Sequence, residues 1–167
     1  NKQKVWGKLD RVLEKSYKHE SGLDLKIMGT AIDSGGHNTD AVYEYCKTRY
    51  EQNIFCIKGA KEVETPILKG TPSRVGKGKV RLYFIGVNSA KDKINTYMKT
   101  KEVGPGFMHY PNKKETYNEA YWNQLTAETR DKTTGRWSKF RTRNEALDVR
   151  VYSLGALKIL EHAAIPL

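Results

Sequence analysis

Apolar runs at residues 25–32, 54–57 and 80–87 alternate with segments in which apolar side chains recur every three or four positions. Strand-like runs interleaved with amphipathic helices restrict a chain to mixed α/β architectures, in which helices cover a sheet. The spacing of Val5, Trp6, Leu9, Val12 and Leu13 predicts a helix over residues 4–18, ended by Ser21-Gly22. Asn38 or Thr39 can cap a second helix whose apolar face carries Val42, Tyr45 and Cys46. A third helix is expected over residues 89–100, with Ile94, Tyr97 and Met98. Beyond Gly104-Pro105-Gly106 the pattern predicts a short strand at 107–110, a helix at 115–125 and a hairpin over 126–143 that turns at Thr133-Thr134-Gly135. Asn144 then caps a last helix with Leu147, Val151 and Leu154 on one face. Residues 58–79 shift to Gly, Pro, Lys and Arg without apolar periodicity and read as a long basic loop, a kind of segment that usually serves function.

The first apolar run ends on one carboxylate, Asp33, followed by Ser34-Gly35-Gly36. In open α/β sheets ligands gather in the crevice beyond the carboxyl ends of strands, so an aspartate there can face the crevice. The competing reading makes Asp33 a turn-former or helix cap, and position alone weighs the two evenly. Asp148 is the second candidate. It falls in the first turn of the last helix, in Asn-Glu-Ala-Leu-Asp, where the macrodipole alone would favour a carboxylate. Beside Leu147, it stands at the edge of the buried face and can reach a neighbouring strand end. Two carboxylates meeting there would suit a hard divalent cation, Mg²⁺ or Mn²⁺, and phosphodiester hydrolysis by a metal pair.

A chain of 167 residues fits a single domain, 1–167, that needs no disulfide or structural metal. Cys46 and Cys56 lie in apolar stretches without metal-ligand spacing and are expected to be buried free thiols in a reducing compartment. The absence of a long apolar run or a leader points to a soluble intracellular protein, and Asn1 in place of Met suggests a piece of a longer one. Lys and Arg outnumber Asp and Glu by 30 to 19, a net charge of +11, which favours a polyanionic partner, nucleic acid first. The sequence contains no basic amphipathic helix rich in Trp and Leu, which weighs against a membrane partner.

Other chemistries fail on spacing. The stretch from Gly70 to Gly78 imitates a phosphate loop but has a residue too many, no Ser or Thr after Lys77, and a strand after it where a helix should open. A restriction-type core would need an acid two residues before Lys58, where Cys56 stands. There is no Gly-x-Ser-x-Gly elbow, and His19, His37, His109 and His162 lack ligand spacing; only His37 lies near Asp33.

Six motifs in order carry a resemblance: Asp33-Ser34-Gly35-Gly36-His37-Asn38-Thr39 with Val42-Tyr43; Ile57-Lys58-Gly59-Ala60; Gly86-Val87-Asn88-Ser89-Ala90-Lys91-Asp92; Gly104-Pro105-Gly106; Gln124-Leu125-Thr126-Ala127-Glu128; and Arg143-Asn144-Glu145-Ala146-Leu147-Asp148 with Val151-Tyr152. The chain resembles, over nearly its whole length, the C-terminal nuclease domain of the lambda-type (GpA family) phage terminase large subunit. The resemblance implies an RNase H-like mixed sheet flanked by helices and a metal-dependent endonuclease that cuts concatemeric viral DNA into genome lengths. It also implies a separate N-terminal ATPase, a small terminase subunit and the portal as partners, and the cytoplasm of a bacterial host as the setting. Asp33 and Asp148 would be its metal ligands.

The family's domain opens with antiparallel strands, the first bearing another catalytic aspartate in a Gly-Val-Asp motif. No such motif precedes Trp6. The expected fold therefore lacks those strands, and Asp33 would be the second carboxylate of the set, with Asp92 weighed as a substitute for the missing one against an ordinary solvated helix charge. Lys58, Lys61, Arg74, Lys77 and Lys79 from the basic loop, with Lys139, Arg141 and Arg143 from the hairpin, are expected to contact DNA phosphates and set position, not sequence. The alternative is a catalytically incomplete fragment that binds DNA or docks the packaging motor.

Overall fold

The computed structural model describes residues 2–163. Its centre is a four-stranded sheet in the order β3-β4-β6-β5. Strands β3 (Thr30–Asp33), β4 (Ile54–Gly59) and β6 (Val80–Ile85) run parallel, and β5 (Ser73–Val75) is antiparallel to β6 at one edge. Alternation along the strands divides the core in two, because successive side chains leave opposite faces. Ile54, Cys56, Val80 and Leu82 pack against Val42, Tyr45 and Cys46 of α2 (Thr39–Thr48), with Trp6, Leu9 and Leu13 of α1 (Lys2–Leu13) outside them. Phe55, Ile57, Tyr83 and Ile85 pack against α3 (Val87–Lys99), α4 (Glu119–Leu125) and α5 (Glu145–His162). Helices thus cover both faces of a mixed sheet, consistent with the RNase H-like arrangement that the resemblance implied.

Helix α1 is tied to α2 by Asp10, which accepts from Arg49 Nε and Nη2 at 2.9 and 2.8 Å and from the Tyr45 hydroxyl at 2.7 Å. These donors hold the Asp10 carboxyl below its usual pKa, the Arg49 hydrogen bond contributing most. Helix α5 comes close to the sheet at Gly155, where a Cβ would lie 2.9 Å from Ile85 Cδ1.

Several expected boundaries move. The first helix ends at Leu13, and β1 (Ser16–Lys18) pairs with β2 (Asp24–Lys26) as a separate hairpin. The run at 25–32 is therefore not one buried strand. Leu25, Ile27 and Met28 are exposed, and only Thr30–Asp33 enters the sheet. Apolarity without strict alternation concealed this break. The basic segment 58–79 is not wholly loop, since Lys58 and Gly59 complete β4 and Ser73–Val75 forms the edge strand. Residues 107–110 form no strand. The late hairpin is present as β7 (Glu128–Arg130) and β8 (Trp137–Lys139).

Candidate active site

Asp33 is the last residue of β3, in register with Ile57. The chain then turns under local control. Ser34 is buried and directs both its N–H and its hydroxyl to the Ile57 carbonyl, each at 2.9 Å. Asp33 Oδ1 accepts the Gly35 N–H at 2.9 Å, and Thr39 Oγ1 donates to the carbonyls of Ser34 and Gly36 at 2.8 and 2.9 Å. Asp33 is thus partly the turn-former that its position allowed, but its carboxylate stays exposed. A cavity of about 380 Å³ beside it is lined by Trp6, Ser34, His37 and Thr39, so His37 shares the hollow with Asp33.

Helix α5 supplies the opposing side. Tyr152 Oη donates to Asp33 Oδ2 at 3.3 Å. Burial raises the Tyr152 pKa, and the charges of Asp33 and Asp148 raise it further, so the phenol lies within the field of both carboxylates. Asp33, at a strand end, is thus hydrogen-bonded to α5 four residues beyond Asp148, which lies in the first turn of that helix.

Asp148 is held very differently. Its Oδ2 accepts from Asn144 Nδ2 at 3.0 Å, and Lys91 Nζ stands 3.8 Å from Oδ1. Lys91 donates to Glu128 Oε2 at 2.7 Å, and Asn144 Nδ2 donates to Glu128 Oε1, also at 2.7 Å. Lys91, Glu128, Asn144 and Asp148 close a ring, its first three members only 6%, 9% and 9% exposed. Burial raises the Asp148 pKa, Lys91 opposes this, and the Glu128 charge adds to it. Glu128 itself is fully engaged, both oxygens taken by buried donors.

The sequence reading missed this ring, although a signal was present. Lys91 occupies an apolar stripe position of α3, beside Ala90 and Ile94. A lysine on the buried stripe requires a partner carboxylate. Asn144 makes no side-chain cap on α5; its amide serves Glu128 and Asp148 instead. Asp92, weighed as a third ligand, is occupied elsewhere: its Oδ1 pairs with Arg130 Nε at 3.0 Å and accepts from Trp137 Nε1 at 2.9 Å, pinning the β7–β8 hairpin to α3.

Among the described residues no three or more His, Cys, Asp and Glu side chains gather closely enough to hold a metal ion. Asp33 and Asp148 are nonetheless hard oxygen donors with lone pairs to spare. The donor set fits a divalent ion that keeps much of its coordination in water and phosphate oxygens, as Mg²⁺ commonly does.

The basic residues divide into two groups. Lys58 and Lys61 lie at or just beyond the carboxyl end of β4, the strand beside Asp33. Lys139 reaches Asn144 Oδ1 at 3.5 Å, while Arg141 donates to Asn123 and Arg143 pairs with Glu145. Arg74, Lys77 and Lys79 belong to the β5–β6 hairpin, whose turn adjoins Val80 where β6 begins, at the other end of the sheet. The basic loop therefore does not present one surface around Asp33. Cys46 and Cys56 are buried and free, as expected. Among the described residues no helix is long and apolar enough to cross a membrane.

Comparison with known proteins agrees with this architecture. Residues 1–166 match the family described as "Terminase large subunit gpA, endonuclease domain". The terminase large subunit of Escherichia phage lambda is 33% identical over 162 residues, covering 91% of this chain and 25% of that protein. That of Enterobacteria phage P21 is 27% identical over 163 residues, with the same coverage of 91% and 25%. The chain thus spans about a quarter of the length of these relatives. No solved structure matches it significantly. The chain belongs to the GpA family of terminase large-subunit endonuclease domains.

Proposed function

We propose that this domain is a metal-dependent DNA endonuclease that hydrolyses phosphodiester bonds of concatemeric viral DNA during genome packaging. The observation that carries the reading is the hydrogen bond from Tyr152 to Asp33, which brings the strand end bearing Asp33 against the helix that bears Asp148. Asp33 and Asp148 would hold Mg²⁺ or Mn²⁺. Bound there, a metal pair supplies an activated water and charge stabilisation for the leaving oxygen.

The chain's own residues prepare the site. Gly35 N–H and Tyr152 Oη fix the orientation of Asp33, and Lys91 and Asn144 fix that of Asp148. Lys58, Lys61, Lys139, Arg141 and Arg143 stand at the same end of the fold and would neutralise backbone phosphates flanking the cut. In the full-length protein, double-stranded DNA, the terminase small subunit and the portal would be the partners, inside the bacterial host.

The engagement of Glu128 by Lys91 and Asn144 favours a second reading, a catalytically incomplete fragment that binds DNA or docks the motor. Plasmid nicking with Mn²⁺ separates the two. Cleavage that disappears in Asp33→Ala and in Asp148→Ala supports the enzyme. Folded protein that retards DNA yet never nicks it sinks that reading for this domain.

A further inference from the structure

Where β4 and β6 begin, at the strand end remote from Asp33, a cavity of about 240 Å³ opens between α2 and the β5–β6 hairpin. Lys47, Arg74, Lys79 and Arg81 line it, and Glu51 is its one acidic wall residue. None of these four cations makes an ion pair among the described residues.

The fold brings them together at a cost. Arg74 and Arg81 are direct partners across the antiparallel ladder, and like charges placed opposite one another destabilise a strand pair. Each head has one local partner. The Arg81 guanidinium lies 3.8 Å from the Tyr50 ring centroid, and Arg74 Nη1 donates to the Lys79 carbonyl at 3.4 Å. Lys79 takes φ +49°, a left-handed conformation uncommon for lysine, at a hairpin position that suits glycine. Gly78 leaves room for Lys47, whose Nζ lies 3.1 Å from where a Cβ would be.

Opposed arginines, a lysine in a glycine's conformation and unpaired ammonium groups around one concavity are unfavourable in an empty hairpin. An anion among them adds an attraction to each cation that offsets their mutual repulsion. We infer that Lys47, Arg74, Lys79 and Arg81 form a binding site for a phosphate group, separate from the carboxylate crevice. Phosphate fits because two guanidinium forks and two ammonium groups match an oxyanion with several acceptor oxygens. The phosphate can come from the DNA backbone or from a free phosphate or nucleotide. Only the first source rests on the nuclease reading. In that case the domain grips the duplex at a point away from the cut, adding affinity without sequence preference.

The test uses this chain, metal-free with EDTA. Inorganic phosphate, titrated against chloride at matched ionic strength, should raise Tm saturably by several degrees at about ten times its Kd. In phosphate-free, low-salt buffer Arg74→Gln should melt above the parent, because it removes the opposed charge. The Arg74→Gln/Arg81→Gln variant should lose the phosphate response. A response no larger than chloride gives, or one that persists in the double variant, overturns the site.

A short DNA duplex then identifies the source. If affinity falls about tenfold in the double variant and the salt dependence shallows by about two phosphates, the ligand is the DNA backbone. If duplex binding is unchanged while the phosphate response is lost, the site serves a free phosphate or nucleotide. These arms are independent of the nicking assay, so failure of one reading is not failure of the other.

Discussion

Asp33 and Asp148 lie on elements joined by the Tyr152 hydrogen bond but are held by opposite means. Asp33 is exposed, and its geometry is set by a backbone N–H two residues away and one phenol from α5. Asp148 depends on a ring assembled from α3, β7 and the start of α5, in which Lys91 and Glu128 are almost wholly buried. The first arrangement is exposed and rests on two hydrogen bonds, so it can be altered at little cost to the fold. The second makes the orientation of the Asp148 carboxylate inseparable from stability, because a buried charge that loses its partner is strongly penalised.

The contrast breaks most sharply at Lys91. Lys91→Met should cost about 3–5 kcal/mol in urea denaturation, because it strands the Glu128 carboxylate, and Lys91→Met/Glu128→Met should recover most of that loss. A single variant as stable as the parent would refute the ring as a structural unit. On the other side, Asp33→Asn should reduce nicking about 100-fold or more, equivalent to about 2.7 kcal/mol, yet shift stability by less than about 0.5 kcal/mol. Asn144→Ala removes donors to Glu128 and Asp148 together, for about 1–3 kcal/mol in the same denaturation assay.

The pH dependence of Asp148 sharpens the comparison further. Its folded pKa lies above the ordinary 3.8, chiefly through burial, so its contribution to stability is fully present below that value and is lost as pH rises through the folded pKa. Asp148→Asn should therefore gain stability relative to the parent at about pH 7 and gain little at about pH 3, read from denaturation midpoints. Equal effects at both pH values would contradict burial as the cause. The smallest effect belongs to the Asp33 turn. Asn38 makes no side-chain cap on α2, so Asn38→Ala should move Tm by a degree or so, within about 0.5 kcal/mol.

The same contrast explains what could be read from the sequence. Asp33, the turn after it and the apolar face of α2 are specified by neighbours in the chain, so residue order alone located them. Asp148 was singled out by its motif, but the ring around it was not, because Lys91 and Glu128 lie 37 positions apart in the chain. The run at 25–32 misled for a related reason. Its apolar residues Leu25, Ile27 and Met28 are exposed, so hydrophobicity there reported composition and not burial. Charge counts drew attention to the basic segment. They could not tell that the β5–β6 pairing carries Arg74, Lys77 and Lys79 to the far end of the sheet, since that depends on a three-residue edge strand.

Helix α5 carries Asp148 and Tyr152, and it meets the sheet at Gly155, where a methyl group would require Ile85 to shift. Gly155 therefore helps α5 lie close to the sheet, on the same helix from which Tyr152 reaches Asp33. A larger side chain at Gly155 would thus act as a shim, moving α5 relative to the sheet seven residues along the helix from Asp148.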